Sequence, residues 1–419
     1  MNRNEGSLAA PGDSLTPDAP SGNPTNAPLG ALRAALTLLV VAHHAVLAYH
    51  PWAPPPALSL LAEPRLWPAF PIVDAHRTSG LDLFVGWNDT YFMSLLFLIA
   101  GVFAWPSLVR KGAATYLRDR VRRLGVPFLV GAGLLAPLAY LPTYLAAVRA
   151  GAPQPGSFVA QWLALGSWPA GPVWFLWVLL AWSAGAALAY RFLPRWGESL
   201  GQWSGCFGRR PIRFAIALIS VSAAAYLPLA THFTAERWVD FGPFWIQISR
   251  SLLYAVYFVA GIGLGACGRD RGLLEPGGKL ARRWPLWAVA AALSFGVAVA
   301  ALLGIVGSMQ KGGPGILLLS AGHLAFVTCC ALTSLAALAI FLRFAQKPLR
   351  PGSWLGSLSA NAFGIYLLHY ACVSWLQLEL LPVSLAGFTK PLIVFSGAVA
   401  ASWTMTALLR RIPAVARIL

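Results

Sequence analysis

The chain has 419 residues, of which 58% are hydrophobic and only 11% charged, with a mean hydropathy of +0.65 and a net charge of +17. Soluble domains carry about 25% charged residues, and a soluble fold could not cover this much apolar surface with so little charge. The composition therefore excludes an ordinary soluble enzyme and points to a polytopic membrane protein that spends its length on spans.

Residues 1–28 are rich in Pro, Ser, Asn, Gly and Ala without hydrophobic periodicity, and read as a disordered cytoplasmic tail. They lack the basic n-region and small-residue cleavage site of a secretory signal, so the first apolar run reads as a retained span. A helical span needs about 20 mostly apolar residues. On that basis ten all-α spans are expected, near 30–50, 90–109, 125–147, 172–193, 213–231, 244–267, 285–307, 315–342, 355–379 and 391–410. They form one domain over 29–412, with a short cytoplasmic end at 413–419. The Pro- and Trp-rich stretch 51–88 is the longest extracytoplasmic segment and is expected to form a cap.

The basic residues test this count. With the N-terminus in the cytoplasm, 24 of the 31 Lys and Arg fall on the cytoplasmic side and six opposite, with Arg250 inside a span. A bias that holds loop after loop supports ten spans and an N-in, C-in orientation. It also assigns the positive charge to topology and anionic lipid headgroups rather than to nucleic acid. The 18 tryptophans and 11 tyrosines suit membrane–water interfaces. Five cysteines without paired spacing argue against a disulfide framework or a zinc site, and no histidine or acidic pair has metal-ligand spacing on one helix face.

The first span, "LRAALTLLVVAHHAVLAYH", carries an arginine and two histidines. At about 100° per residue, Arg33 and His44 lie within about 20° of each other around the helix, separated by about 16 Å of rise. Thr37 lies near the same stripe, and His43 points to a different face. Ionisable groups at bilayer depth are costly and usually face a cavity or a partner. The structural reading has Arg33 snorkelling to headgroups and both histidines hydrogen-bonding between helices. The functional reading makes His44 a general base. Tyr366 and His369 in "ANAFGIYLLHYACVSW", His323, Arg250, Glu379 and Asp89 reach similar depth and could line one outward-opening cavity or make structural hydrogen bonds. The stretch "RKGAATYLRDRVRRLGVPF" carries six basic residues, with Arg120 and Arg123 as an R-x-x-R pair. The positive-inside rule accounts for that charge; a phosphate site is the functional alternative, since arginine forks suit phosphate oxygens. Phosphate-binding loops, G-x-S-x-G elbows and H-E-x-x-H motifs are absent from the sequence.

Together these pieces resemble the membrane acyltransferase-3 family, in particular its branch of periplasmic glucan succinyltransferases. Arg33 and His44 match the family's R-x10-H pattern. "YFMSLLFLIAGVFAWPSLVRKG" resembles its FF-x-SG-x-F helix, with Ala100-Gly101 in place of Ser-Gly. "LRDRVRRLGVPF", "GPVWFLWVLLAW" and "AFGIYLLHY" resemble its R-x-x-R, WFL and Y-x-x-H elements. The resemblance covers spans one to four and nine. It implies a multi-pass protein of the bacterial inner membrane that moves an acyl group from cytoplasmic acyl-CoA to a hydroxyl of an extracytoplasmic acceptor, often a carbohydrate or glycan. No cofactor is expected to be tightly bound. His44 would be the base, Arg33 would orient the thioester, and Arg120 and Arg123 would meet CoA phosphates. Arg33 or Arg250 would stabilise the oxyanion, with Asp89 as a guess for the acidic partner of the base. Arg250, His323, Tyr366 and His369 would contribute to substrate binding. The competing reading is a transporter of a glycan, lipid-linked sugar or small molecule, against which the lack of an internal repeat counts.

Overall fold

The computed structural model describes residues 27–350, 352–385 and 387–419. The expected tail lies outside these, except that the first helix already begins at Ala27. The protein is an all-α bundle of α1 (Ala27–Leu47), α2 (Leu81–Lys111), α3 (Ala113–Arg149), α4 (Phe158–Ala164), α5 (Gly171–Phe192), α6 (Trp196–Gly205) and α7 (Pro211–Phe233), then α8 (Ile248–Cys267), α9 (Trp284–Met309), α10 (Ile316–Phe344), α11 (Trp354–Ala360), α12 (Ala362–Leu380) and α13 (Thr389–Leu409). Among the described residues, nine of these are long and apolar enough to cross a membrane: α1, α2, α3, α5, α7, α8, α9, α10 and α13. The remaining expected span, the ninth, is α12, 19 residues long, whose apolar run is interrupted by His369, Ser374, Gln377 and Glu379.

Three elements differ from expectation. The second helix begins at Leu81 rather than near 90, started by Gly80 at φ 90 and by the Asp82 carboxylate, which accepts from the Gly80 amide at 3.0 Å. Asp89 therefore lies about two turns inside the helix instead of opening it. The arginine-rich stretch is helical on both sides of a single break at Gly112. Gly112, at φ 74, ends α2, and α3 starts at Ala113 and runs through the R-x-x-R pair, with Lys111 and Asp119 paired across the break. Two five-residue π-helical segments, Val121–Gly125 and Gly131–Leu135, interrupt α3. The sixth span is shorter than expected because Trp238–Phe241 and Phe244–Gln247 form an antiparallel hairpin (β1 and β2) before α8.

The tightest helix crossing joins α2 to α8. A Cβ on Gly101 would stand 2.1 Å from the Phe258 carbonyl oxygen, and one on Gly261 would stand 2.0 Å from that of Leu98. Only glycine lets two backbones approach this closely, the general logic of small residues at membrane helix interfaces. The Gly of the span-two motif thus has a packing role.

At the bundle end carrying the 48–80 connection, that segment folds back as the expected cap. The Asp74 and Thr78 amides donate to the Ala48 and Tyr49 carbonyls at 2.9 and 3.0 Å. Tyr140 of α3 and Tyr370 of α12 both donate their hydroxyls to the Pro68 carbonyl, at 2.9 and 3.2 Å. Lys390 of α13 and Asp74 form an ion pair at 2.6 Å, only 1% and 2% exposed. A pair this buried needs its full hydrogen-bonding complement, and the His76 amide supplies another donor to Asp74 at 2.8 Å.

Candidate active site

Helix α1 runs through the bundle against α12, α2, α13 and α10. Along its polar stripe each group bonds back to its own helix: Thr37 Oγ1 donates to the Arg33 carbonyl at 3.1 Å, and His44 Nδ1 meets the Val40 carbonyl at 2.8 Å. A carbonyl can only accept, so His44 Nδ1 carries the proton and Nε2 keeps its lone pair. Among the described residues His44 Nε2 makes no hydrogen bond, and the side chain is only partly buried.

His369 stands against it from α12. Its Nδ1 is 2.7 Å from the Tyr366 carbonyl, which fixes the proton there, and its Nε2 lone pair faces His44 Nδ1 at 3.3 Å. The Nδ1 proton of His44 is thus shared between two acceptors, the Val40 carbonyl and the His369 imidazole. Tyr370 places its ring edge-on to His44, 5.0 Å between centroids. Tyr366 donates its hydroxyl to the Pro172 carbonyl at the start of α5. Gln377 holds the end of α1 through the His44 and Ala45 carbonyls, at 3.1 and 3.2 Å. His43 points to α2 instead: it is buried, stacks on Phe92 at 5.2 Å, and among the described residues its Nδ1 has no partner.

A second polar cluster lies across α2. Arg250 Nη1 donates to the Asp89 carbonyl at 2.9 Å and Nη2 to its carboxylate at 2.5 Å, while the guanidinium lies 4.9 Å over the Phe326 ring. Phe326 stacks on Tyr226, and Tyr226 meets His323 edge-on. His323 Nδ1 is 3.5 Å from the Thr231 hydroxyl. The polar groups expected in one cavity therefore divide in two. His44, Tyr366 and His369 come together, while Arg250 and His323 belong to the Asp89 cluster. Asp89, the guess for an acidic partner, is committed to Arg250, and a second imidazole occupies the place beside His44. Glu379 pairs with Arg149 at 2.9 Å on the surface.

At the opposite end of the bundle from the cap, Arg33 is exposed, eleven residues before His44. Arg120 lies over the ring of buried Tyr116, 5.0 Å away, and Arg123 is exposed. Outside the spans, burial pushes the His50 imidazole below its ordinary value, with Asp82 opposing the shift and Arg77 adding to it. Among the described residues, no three His, Cys, Asp or Glu side chains converge as metal ligands would.

Tyr370, Gln377 and the cap carbonyl of Pro68 are absent from the sequence-based candidates. Residues 366, 369, 370 and 377 recur at helical spacing, which puts them on one face of α12; that stripe was the available signal. Nothing in the sequence pairs Pro68 with two tyrosines that lie 72 and 302 positions away.

No curated protein and no solved structure matches the chain significantly. A family model described as an acyltransferase domain matches residues 27–407, nearly the whole bundle and both ends of the R-x10-H pattern. The chain belongs to the membrane acyltransferase-3 family.

Proposed function

We propose that this multi-pass membrane acyltransferase is an O-acyltransferase of the bacterial inner membrane. It takes an acyl group from acyl-CoA on the cytoplasmic side and places it on a hydroxyl of an extracytoplasmic carbohydrate or glycan. The observation that supports this reading best is the tautomer of His44: its Nδ1 proton is held by Val40 and His369, and among the described residues its Nε2 lone pair has no partner.

In the proposed reaction the acceptor hydroxyl attacks the thioester carbonyl while His44 Nε2 takes its proton. The C–O bond forms and the carbonyl π electrons move to oxygen. The tetrahedral intermediate then collapses, expelling the CoA thiolate, which recovers the proton from His44. During this cycle His44 passes through an imidazolium whose Nδ1–H has two acceptors waiting. His369, locked by the Tyr366 carbonyl, does for this histidine what a carboxylate does in a Ser-His-Asp triad: it fixes tautomer and ring orientation. Arg250 is a less suitable oxyanion group, because Asp89 already takes two of its donors. Arg33, Arg120 and Arg123, on the basic side of the bundle, suit the anionic donor.

The test uses purified protein in sealed vesicles with labelled acyl-CoA on one side and candidate glycans on the other. The reading predicts labelled ester on the glycan, released by mild base, only when acyl-CoA meets the arginine-rich face. Movement of glycan across the membrane without any acylated product would overturn it in favour of a transporter.

A further inference from the structure

The capped end of the bundle carries one aromatic side chain that packing does not explain. Trp52 is 79% exposed, more than any other of the 18 tryptophans. A lone apolar residue at a surface is ordinary, but this one stands on a rigid turn. The Trp52 amide donates to His50 Nδ1 at 3.1 Å, and the Ala53 amide donates to the His50 carbonyl at 3.1 Å. Arg77 reaches over from the other end of the cap. Its Nη1 donates to the His50 carbonyl at 3.1 Å and its Nη2 to the Pro54 carbonyl at 3.4 Å. Pro51, Pro54, Pro55 and Pro56 fix further backbone angles. The turn therefore presents the indole with little freedom left to lose on binding. Two charged groups flank it. Arg77 keeps N–H donors beyond the two it uses. The Asp82 carboxylate, whose Oδ1 accepts from the Gly80 amide at 3.0 Å, lies close enough to act with Arg77 on the His50 imidazole. Depth separates this turn from the interfacial aromatics: Trp87 lies about 9 Å of rise inside α2, whereas Arg77 precedes the Leu81 start of that helix.

We propose that Trp52, flanked by Arg77 and Asp82, is a docking platform for the acceptor glycan that takes a glucose-type pyranose face-on. The inference rests on the reading of the acceptor above and names its sugar. In β-glucose every substituent is equatorial, so axial C–H groups cover both ring faces. These are weakly positive and meet the negative face of an indole. The hydroxyls at the ring edge are left to donate to a carboxylate and to accept from a guanidinium. One positive and one negative group give the platform no net charge, which suits a neutral glycan. Reach agrees with this role. Trp52 follows His44 by eight residues, the first three still in α1, so the two Cα atoms are at most about 22 Å apart. A short oligosaccharide spans that gap, with one unit on Trp52 and another at His44.

The probe is cellohexaose, titrated calorimetrically into the purified full chain without acyl-CoA, in a detergent that has no sugar headgroup. Saturable binding is expected. Trp52→Ala should weaken it about three- to tenfold, and Trp52→Phe less. Trp203→Ala, an exposed tryptophan at the opposite end of the bundle, should bind as the wild type does. Given acyl-CoA, the wild-type chain should modify cellohexaose at lower concentration than cellobiose, and Trp52→Ala should narrow that difference. Absence of saturable cellohexaose binding to the wild-type chain, or wild-type affinity in Trp52→Ala, would overturn the proposal. So would a spin label on Trp52→Cys that meets oxygen dissolved in lipid more than a water-soluble nickel complex, since the indole would then sit in the membrane. Binding with the expected Trp52→Ala loss but no ester product would fail the acyltransferase reading and leave the platform standing.

Discussion

Replacing His369 by Phe removes the nitrogen that faces His44 Nδ1 and keeps an aromatic ring between Tyr366 and Tyr370. The 3.3 Å contact is weak while His44 is neutral, because its Nδ1 proton already has the Val40 carbonyl at 2.8 Å. It matters when His44 takes a second proton and Nδ1–H becomes a charged donor. Hydrogen bonds to charged groups contribute about 1.5–3 kcal/mol, and about 1.4 kcal/mol is a tenfold change in rate. His369→Phe should therefore lower kcat about ten- to 150-fold while leaving the KM for acyl-CoA nearly unchanged. His369→Gln, which can present an amide oxygen to Nδ1, should recover part of that loss. Single-turnover transfer from labelled acyl-CoA reads both. Unchanged kcat in His369→Phe would refute the imidazole pair. A loss as deep as that of His44→Ala, with no recovery by Gln, would make His369 the base and refute the assignment of roles.

Other outcomes follow from the packing and from the two faces. Gly101→Ala puts a methyl 2.1 Å from the Phe258 carbonyl oxygen, so the α2–α8 crossing must open at a cost of about 3 kcal/mol, the upper end of the usual overpacking range; Gly86→Ala, with nothing within 4 Å, should be neutral or slightly stabilising in the same melting experiment. His50 is held below its ordinary value, so the folded cap binds its proton less readily than the unfolded chain does. The resulting stability is present above the unfolded pKa of about 6.5 and is lost as pH falls from there through the lower folded value. Hydrogen exchange in residues 51–80 should speed up between about pH 7 and pH 5, and His50→Phe should flatten that rise. Cys206 is the exposed native cysteine and sits on the arginine-rich face; an impermeant maleimide should leave it unlabelled in intact cells and label it after lysis, and labelling in intact cells would reverse the orientation.

Much of the fold was legible because the span signal is a property of long windows. The helices from α5 onward fall within about four residues of the expected limits except where local chemistry intervened: the hairpin before α8, and the break that sets α11 apart from α12. The early misreadings share one cause. Polar residues such as Asp89 and the arginines after Lys111 read as marks of a span's end, yet a helix can carry them when they have partners or reach its surface. Asp89 has Arg250, and Arg120 has the Tyr116 ring. Among the described residues, neither amide atom of the fully buried Asn88 has a partner. In the site, the shared face of α1 was readable from periodicity, which favoured His44 over His43. The partner was not. Sequence spacing carries no information about which residue 325 positions away meets His44, and Asp89, the carboxylate expected beside it, lies in the neighbouring cluster.

The central claim is that His44 Nε2 removes the acceptor's proton. Its most direct measurement is the rate of acyl transfer by purified His44→Ala and His43→Ala beside the wild-type protein, at saturating acyl-CoA and acceptor. Loss of a general base costs about 10²- to 10⁴-fold. His44→Ala should show a loss of that size, with unaltered folding, and His43→Ala a far smaller one. Wild-type transfer by His44→Ala, or the larger loss falling on His43→Ala, would contradict it.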